Sequence, residues 1–452
     1  MSMLAAATPT KRNVSLCAAL LFLAVRSEAG PQELAGDWLT RNEPFLVSVA
    51  DRLWHMPEPA HHEIRTSAYL QSELARAGFE IRTEIAGLPT AFAADYGRGK
   101  PVVGVVALLD ALPGTGDEPA WHGCGHHLIG AGDLGAALAL REAIASHAAR
   151  GTLRFYGAPA EEIYHGGVYM VRAGAFDDVD ALLFWHPSSV TTVIDRSGLA
   201  MDSVRFSFRG LASDATDAPE KGRNGLTSAL QLSSAVEKAR VDWPAPAVVN
   251  HVLLEGGTLP SVVPERAVLW YFLHARDRAS VNRIRADVEE IARKIAIRTE
   301  TELEIQVLSS TRHWLINREL SKILDRNLGD DHIPVSFTDE PVPISDDTAE
   351  ASWVTPRGGL LVQAFPAETP SHSRAWNDSG RSRLAHEALM LAARTLARTA
   401  LDLMLDGESL EKVKREFERE TAGQPYRSPL PEGRGPFDFL PRPRSGESKE
   451  PR

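Results

Sequence analysis

Residues 121–127 read WHGCGHH. Cys124 is one of only two cysteines in the chain, and it sits between histidines in a stretch loosened by glycine. Such a cysteine can be a metal ligand, a thiol nucleophile or a small buried hydrophobe. Cys124 and His126 stand two apart, so both could reach one ion from a Gly-flexed loop. Three other stretches carry matching donors: APAEE holds Glu161 and Glu162, WHP holds His186, and TPSHS holds His372. Thiolate, imidazole and carboxylate together suit Zn²⁺ or a neighbouring divalent transition metal. Cys124, His126, Glu162, His186 and His372 are more ligands than one tetrahedral site takes. Two adjacent metals are therefore expected, able to clamp a water and polarise a carbonyl. Glu161, beside a ligand carboxylate, is then the general base that takes a proton from that water. A thiol hydrolase reading leaves Glu162, His186 and His372 without a task.

These residues work together only if the fold gathers them. Apolar strand-like runs at PVVGVVALL (101–109), GTLRFYG (151–157), DALLFW (180–185) and GLLVQAF (359–365) are interleaved with helical patterns such as LGAALALREAIASH (134–147) and LAHEALMLAARTLARTALDLML (384–405). Strands alternating with helices predict an α/β fold, a mostly parallel sheet with helices on both faces. In such sheets ligands bind beyond the carboxyl ends of the strands. Here those ends carry Asp110 with the WHGCGHH loop, Glu161 and Glu162, His186, and His372. The middle of the chain has another rhythm. MDSVRFSFR, a helix over 225–240, VVNHVLL, RAVLWYFLH, a helix over 279–299 and TELEIQVL give the order βαββαβ of a ferredoxin-like domain, inserted between two parts of the α/β domain. The expected division is a leader over 1–29, catalytic domain over 30–197, lid over 198–312, catalytic domain again over 313–423, and a Pro/Gly-rich tail over 424–452 with little structure of its own.

The formal net charge of −11 argues against nucleic-acid binding. Two cysteines, Cys17 and Cys124, make no disulfide framework. The N-terminus has a basic stretch, the apolar run VSLCAALLFLAV and RSEAG, the parts of a secretory signal. The run is too short to span a bilayer comfortably, so no stable membrane span is expected after processing. A secreted or periplasmic location follows if the leader is used, and a cytoplasmic one otherwise. Cleavage after Ala29 would leave Cys124 as the only thiol.

The stretches LLDALPG, HGCGHHLIGAG, GTLRFYGAPAEE, MVRAGAFDDVDALLFWHP, DAPEKGR, ASW, ETPSHS and QPYRSPLP carry a resemblance over roughly residues 45–430. The chain resembles the dinuclear-metal amidohydrolases and exopeptidases of peptidase family M20, which include aminoacylases, carboxypeptidases and auxin-conjugate hydrolases. Within them it is most similar to the p-aminobenzoyl-glutamate hydrolase branch. The resemblance implies a catalytic α/β domain with a ferredoxin-like lid that forms a homodimer. It implies that Cys124, His126, Glu162, His186 and His372 bind two divalent ions, Zn or Mn, and that Glu161 is base and then acid. Asp110 is a candidate support behind the ligands.

The departures lie mainly in the lid. Asp214 stands where the family has a His that the partner subunit's lid contributes, Ser261 replaces an Asn, and His274 replaces an Arg. His127 replaces Asn or Asp, and Leu108 replaces an acid. Asp cannot donate a hydrogen bond unless protonated, and its charge repels an oxyanion. Asp214, Ser261 and His274 are accordingly the candidate substrate-binding residues. One reading is an amidohydrolase acting on a small N-acyl amino acid or dipeptide-like conjugate with altered specificity, Asp214 pairing with a cationic group. The other is a catalytically weak or silent metal-binding relative that serves as a small-molecule binding protein.

Overall fold

The computed structural model of the chain describes residues 29–438. The predicted leader, apart from its last residue, and the end of the predicted tail lie outside the described residues. Strands β1 (Glu80–Thr83), β2 (Phe92–Arg98), β3 (Val102–Leu108), β4 (Gly151–Ala158), β5 (Ala181–Ser188) and β6 (Thr192–Val193) come first in the chain. Strands β7 (Ala200–Arg209), β8 (Ala247–Glu255), β9 (Arg266–Ala275) and β10 (Glu302–Thr311) follow, then β11 (Arg357–Gln363). One sheet has seven strands in the order β1-β2-β4-β3-β5-β11-β6. Its centre, β4-β3-β5-β11, is parallel, and antiparallel pairs close both margins. The chain returns from the second sheet to place β11 beside β5, so both halves of the sequence build one surface.

The central strands are buried along their whole length because both faces are covered. β3 reads VVGVVAL and β4 reads GTLRFYGA, with every residue buried, the continuous apolar pattern of an enclosed parallel sheet. The helices are α1 (Pro31–Trp54), α2 (Ile64–Arg76), α3 (His126–Ala145), α4 (Gly166–Arg172), α5 (Gly225–Ala239), α6 (Arg278–Thr299), α7 (Arg318–Leu328), α8 (Arg374–Ser379), α9 (Arg383–Leu405) and α10 (Gly407–Glu420). α1, α3 and α9 pack on one another beside the sheet. α3 is buried nearly all round, and Gly132 lets it lie against Trp185 of β5, where a Cβ would come within 2.8 Å of the indole.

The second sheet, β10-β7-β9-β8, is antiparallel and carries α5 and α6 over a core of Phe206, Phe208, Leu232, Tyr271 and Ile284. Its order β7-α5-β8-β9-α6-β10 is the predicted βαββαβ pattern. Asn224 caps α5 and Asp277 caps α6 by accepting backbone N–H groups, which fixes where each helix starts. β7 and β10 pair, so the two crossings between the sheets run side by side. Arg278 donates to the carbonyls of Met201 and Thr311 at 3.1 and 3.0 Å and ties both crossings together.

Two expectations need correction. The helix predicted from Leu134 starts at His126, so His126 lies in its first turn and not on a loop. The strand predicted to end at Trp185 continues to Ser188 and includes His186. From Gln424 to Asp438 the chain has no helix or strand; Leu430 is buried there, and the Arg312 guanidinium lies over the rings of Trp353 and Tyr426 at 4.7 and 5.3 Å. Apolar and aromatic residues amid the Pro and Gly give this segment something to bury.

Candidate metal centre

The parallel strands end at a cleft of about 960 Å³ whose walls include Cys124, Glu161, Glu162, His186 and His372. Each arrives by a different route. Gly125 takes a positive φ of 89° and turns the chain between Cys124 and the first turn of α3; a Cβ there would meet Pro187 at 2.7 Å. This conformation sets Cys124 and His126 on the two sides of one bend. Glu161 and Glu162 follow β4 after Ala160, which itself has φ 61°. His186 projects from β5. His372 lies beyond β11, with φ 57° and its N–H donating to the Gly123 carbonyl at 3.0 Å. The loop carrying His372 is thereby tied to the loop carrying Cys124.

Hydrogen bonds fix the tautomers of two histidines. His126 Nδ1 lies 2.9 Å from the Asp110 carbonyl and 3.2 Å from Asp110 Oδ1, and His186 Nδ1 lies 2.7 Å from the Pro187 carbonyl. A carbonyl only accepts, so both Nδ1 atoms carry the proton and both Nε2 atoms present a lone pair. This is the usual support of a metal-binding histidine. Asp110 is fully buried, and its Oδ2 accepts the Glu162 N–H at 2.9 Å, so one carboxylate holds parts of two candidate ligands.

The donor atoms converge. Cys124 Sγ is 3.3 Å from His186 Nε2. Glu162 is 3.8 Å from His126 Nε2 through Oε1 and 3.8 Å from His372 Nε2 through Oε2. Three groups have donors within 4.8 Å of one another: Cys124 with His126 and His186, Cys124 with Glu162 and His372, and His126 with Glu161 and Glu162. His126 Nε2 and Glu162 Oε1 are buried without a hydrogen-bond partner. Orphaned polar atoms of this kind are costly unless something binds them. The residues fit a divalent metal.

Electrostatics point the same way. Burial, then the carboxylates of Glu162 and Glu161, push the Cys124 thiol well above its usual range. Burial, followed by the Glu162, Asp347 and Asp110 carboxylates, pushes Glu161 well up too. His186 is pushed down to about 4 by burial and by His126. A bound cation offsets crowded carboxylates and favours the thiolate.

Of the candidate substrate residues, only His274 lines the cleft, its Nε2 3.2 Å from Ser345 Oγ. Asp214 is exposed, and its Oδ1 accepts the N–H groups of Thr216 and Asp217, both at 2.8 Å. The Ser261 carbonyl accepts from Ala215, so the loops carrying Asp214 and Ser261 lie side by side, exposed on the lid and outside this chain's cleft. His127 is buried and bonds the Gly380 carbonyl at 2.9 Å. Leu108 lines the cleft.

The sequence reading missed Glu63, His165, Asp346 and Asp347. Glu63 is fully buried and accepts from the N–H groups of His61 and Ala160 and from Thr90 Oγ1, at 3.0, 2.8 and 2.9 Å. It thus holds the residue next to Glu161 in place. His165 lines the cleft with Nδ1 2.7 Å from Ser309 Oγ. Asp347 Oδ2 accepts the Gly167 N–H at 2.5 Å at the start of α4. The signal for the last pair was SDD in a Pro-rich loop just ahead of ASW.

The model of Peptidase family M20/M25/M40 matches residues 107–401, which span every candidate ligand. The chain belongs to this family. It is therefore a hydrolase of the M20 kind. It is 29% identical to one of the subunits of p-aminobenzoyl-glutamate hydrolase of Escherichia coli (strain K12), over 87% of this chain and 96% of that one. It is 27% identical to Xaa-Arg dipeptidase of Mus musculus, over 82% and 88%. Among solved structures it shares its fold with an aminobenzoyl-glutamate utilization protein from Klebsiella pneumoniae (TM-score 0.63, 17% identity, 82% of this chain and 98% of that one). A dinuclear metal-binding M20 peptidase from Bacillus subtilis has the same fold (TM-score 0.57, 21% identity, 81% and 99%). The shared fold with this M20 peptidase agrees with the mostly parallel sheet described above.

Proposed function

We propose that the chain is a dinuclear metal-dependent amidohydrolase that cleaves the amide bond of a small N-acyl amino acid or dipeptide-like conjugate. The observation that carries this reading is the place of Cys124 in two donor groups at once, with Glu161 beside them in the same cleft. Cys124 is the shared ligand, His126 and His186 complete one group, and Glu162 and His372 complete the other. Divalent ions in these groups supply Lewis acidity, polarising the amide carbonyl and acidifying water. Glu161 takes the proton of the attacking water and then delivers it to the departing amine. Asp110 keeps His126 and Glu162 oriented, and Glu63 keeps the Glu161 loop in position. Thiolate favours Zn²⁺, while the carboxylates tolerate Mn²⁺.

The chain works as a homodimer through the lid. β8 is the open edge of its sheet, and Val252, Leu253 and Leu254 on it are about half exposed, with Leu230 of α5. An apolar edge strand is a template for pairing with another chain. Asp214, on its exposed turn, is then available to the partner's cleft. The leader ahead of Gly30 supports export, and no described helix is long and apolar enough to cross a membrane.

The test is hydrolysis of a panel of N-acyl and aminobenzoyl amino acids by protein beginning at Gly30, stripped of metal and then reloaded with Zn²⁺ or Mn²⁺. Turnover that appears only on reloading supports the reading. Silence across the panel with metal bound favours the binding-protein alternative.

A further inference from the structure

The charged residues around the cleft are not equally available. Its acids beyond the metal centre are Asp195 and Asp346, and Arg196 is the one Lys or Arg lining it among the described residues. Both oxygens of Asp346 are already used. Oδ1 accepts Thr348 Oγ1 at 2.6 Å and the Ala349 N–H at 3.0 Å, and Oδ2 pairs with the buried Arg357. Asp195 Oδ2 accepts the N–H groups of Ser336 and Phe337 at 2.5 and 3.3 Å and Ser336 Oγ at 3.2 Å.

Arg196 is held at its backbone and free at its head. Its carbonyl accepts Trp314 Nε1 at 2.9 Å, and the next residue, Ser197, donates from Oγ to the Trp314 carbonyl at 2.7 Å. Trp314, which lines the cleft as Phe184 and Phe272 do, therefore holds this segment in place. The side chain is 41% exposed, and its one ionic neighbour is Asp195 Oδ1, 3.8 Å from Nε, too far for a hydrogen bond. The terminal guanidinium nitrogens have no partner among the described residues. A planar guanidinium with open terminal donors is matched to a carboxylate.

The balance is thus the reverse of what Asp214 alone suggests. The acids beyond the metal centre are engaged, the cation is open, and Asp214 lies outside this chain's cleft. We propose that Arg196 is the specificity-determining residue of the cleft and receives a carboxylate of the substrate, while the Phe184, Phe272 and Trp314 wall receives its apolar part. The inference rests on the amidohydrolase reading for the identity of the bond cleaved, and it names the substrate as an anionic amide with an apolar or aromatic group.

The test compares N-benzoylglycine with its C-terminal carboxamide, using metal-loaded wild type, Arg196→Ala and Arg196→Lys. Wild type is expected to favour the carboxylate by about tenfold or more in kcat/KM, the size of one charge-assisted hydrogen-bond pair. Arg196→Ala should erase that preference through KM, and Arg196→Lys should restore part of it. Quenching of tryptophan fluorescence in the Glu161→Gln background reads binding of the same two compounds without turnover. If no variant hydrolyses either compound but Arg196→Ala selectively weakens carboxylate binding, Arg196 stands and the amidohydrolase reading falls. A preference for the carboxylate that survives Arg196→Ala in both measurements overturns the proposal, as does a preference for the carboxamide in wild type.

Discussion

Asp110 grips His126 from two acceptors, with its carbonyl 2.9 Å and its Oδ1 3.2 Å from the same Nδ1. Since its Oδ2 also takes the Glu162 N–H, Asp110 orients a candidate ligand in each donor group. Asp110→Ala should weaken metal binding about 10–100-fold, the usual cost of losing a support behind a ligand. Competition with a chromogenic chelator measures it. Affinity equal to wild type would show that His126 holds its place without Asp110.

The sharing of Cys124 makes the ligands unequal. Wild type is expected to hold about two ions per chain, His372→Ala about one, and Cys124→Ala less than one, because Cys124 belongs to two donor groups and His372 to one. Metal content by mass spectrometry after dialysis gives the three numbers. Equal losses in the two variants would argue against a shared thiolate.

Outside the lining of the cleft, Glu350 predicts a pH effect on stability. Burial pushes its carboxyl from 4.5 up to about 6, against the N–H and charge of Arg312, which favour the ionised form. An acid raised in the folded state binds its proton more tightly there, so its contribution is full below about pH 4.5 and is lost as the pH rises through about 6. Glu350→Gln, which keeps an acceptor for the Arg312 N–H, does not suffer that loss. Its stability relative to wild type should rise by about 2 kcal/mol between acidic and neutral pH. Urea melts at pH 4 and pH 7 measure the difference, and a pH-independent difference would mean that Glu350 does not titrate in this window.

How much of this was legible depended on what each residue interacts with. The donors at strand ends could be read because a buried parallel strand announces itself, and the residue after it must lie at the sheet's carboxyl edge. Cys124, Glu161, Glu162, His186 and His372 follow from that rule. The edge strand β1 and its neighbour β2 escaped, since EIRT is short and mostly exposed and FAADYGR has no alternating apolar pattern. Glu63 escaped for a different reason. Its partners, Thr90 and Ala160, are distant in sequence, and HHEIRT looks like an ordinary helix start. Asp214 was given a place near the substrate by analogy of position, but its carboxylate is spent on its own turn and lies outside its own chain's cleft. Arg196 carries no motif, and its importance rests on which of its neighbours are already paired.

The most direct test of the account is a single comparison of Glu161→Gln with wild type, measuring bound metal and amide hydrolysis on the same preparations. Glu161 is assigned the proton transfers, so the variant should keep its metal and melting temperature while losing about 10²–10⁴ in kcat. A variant that keeps both its metal and wild-type turnover would contradict the account at its centre.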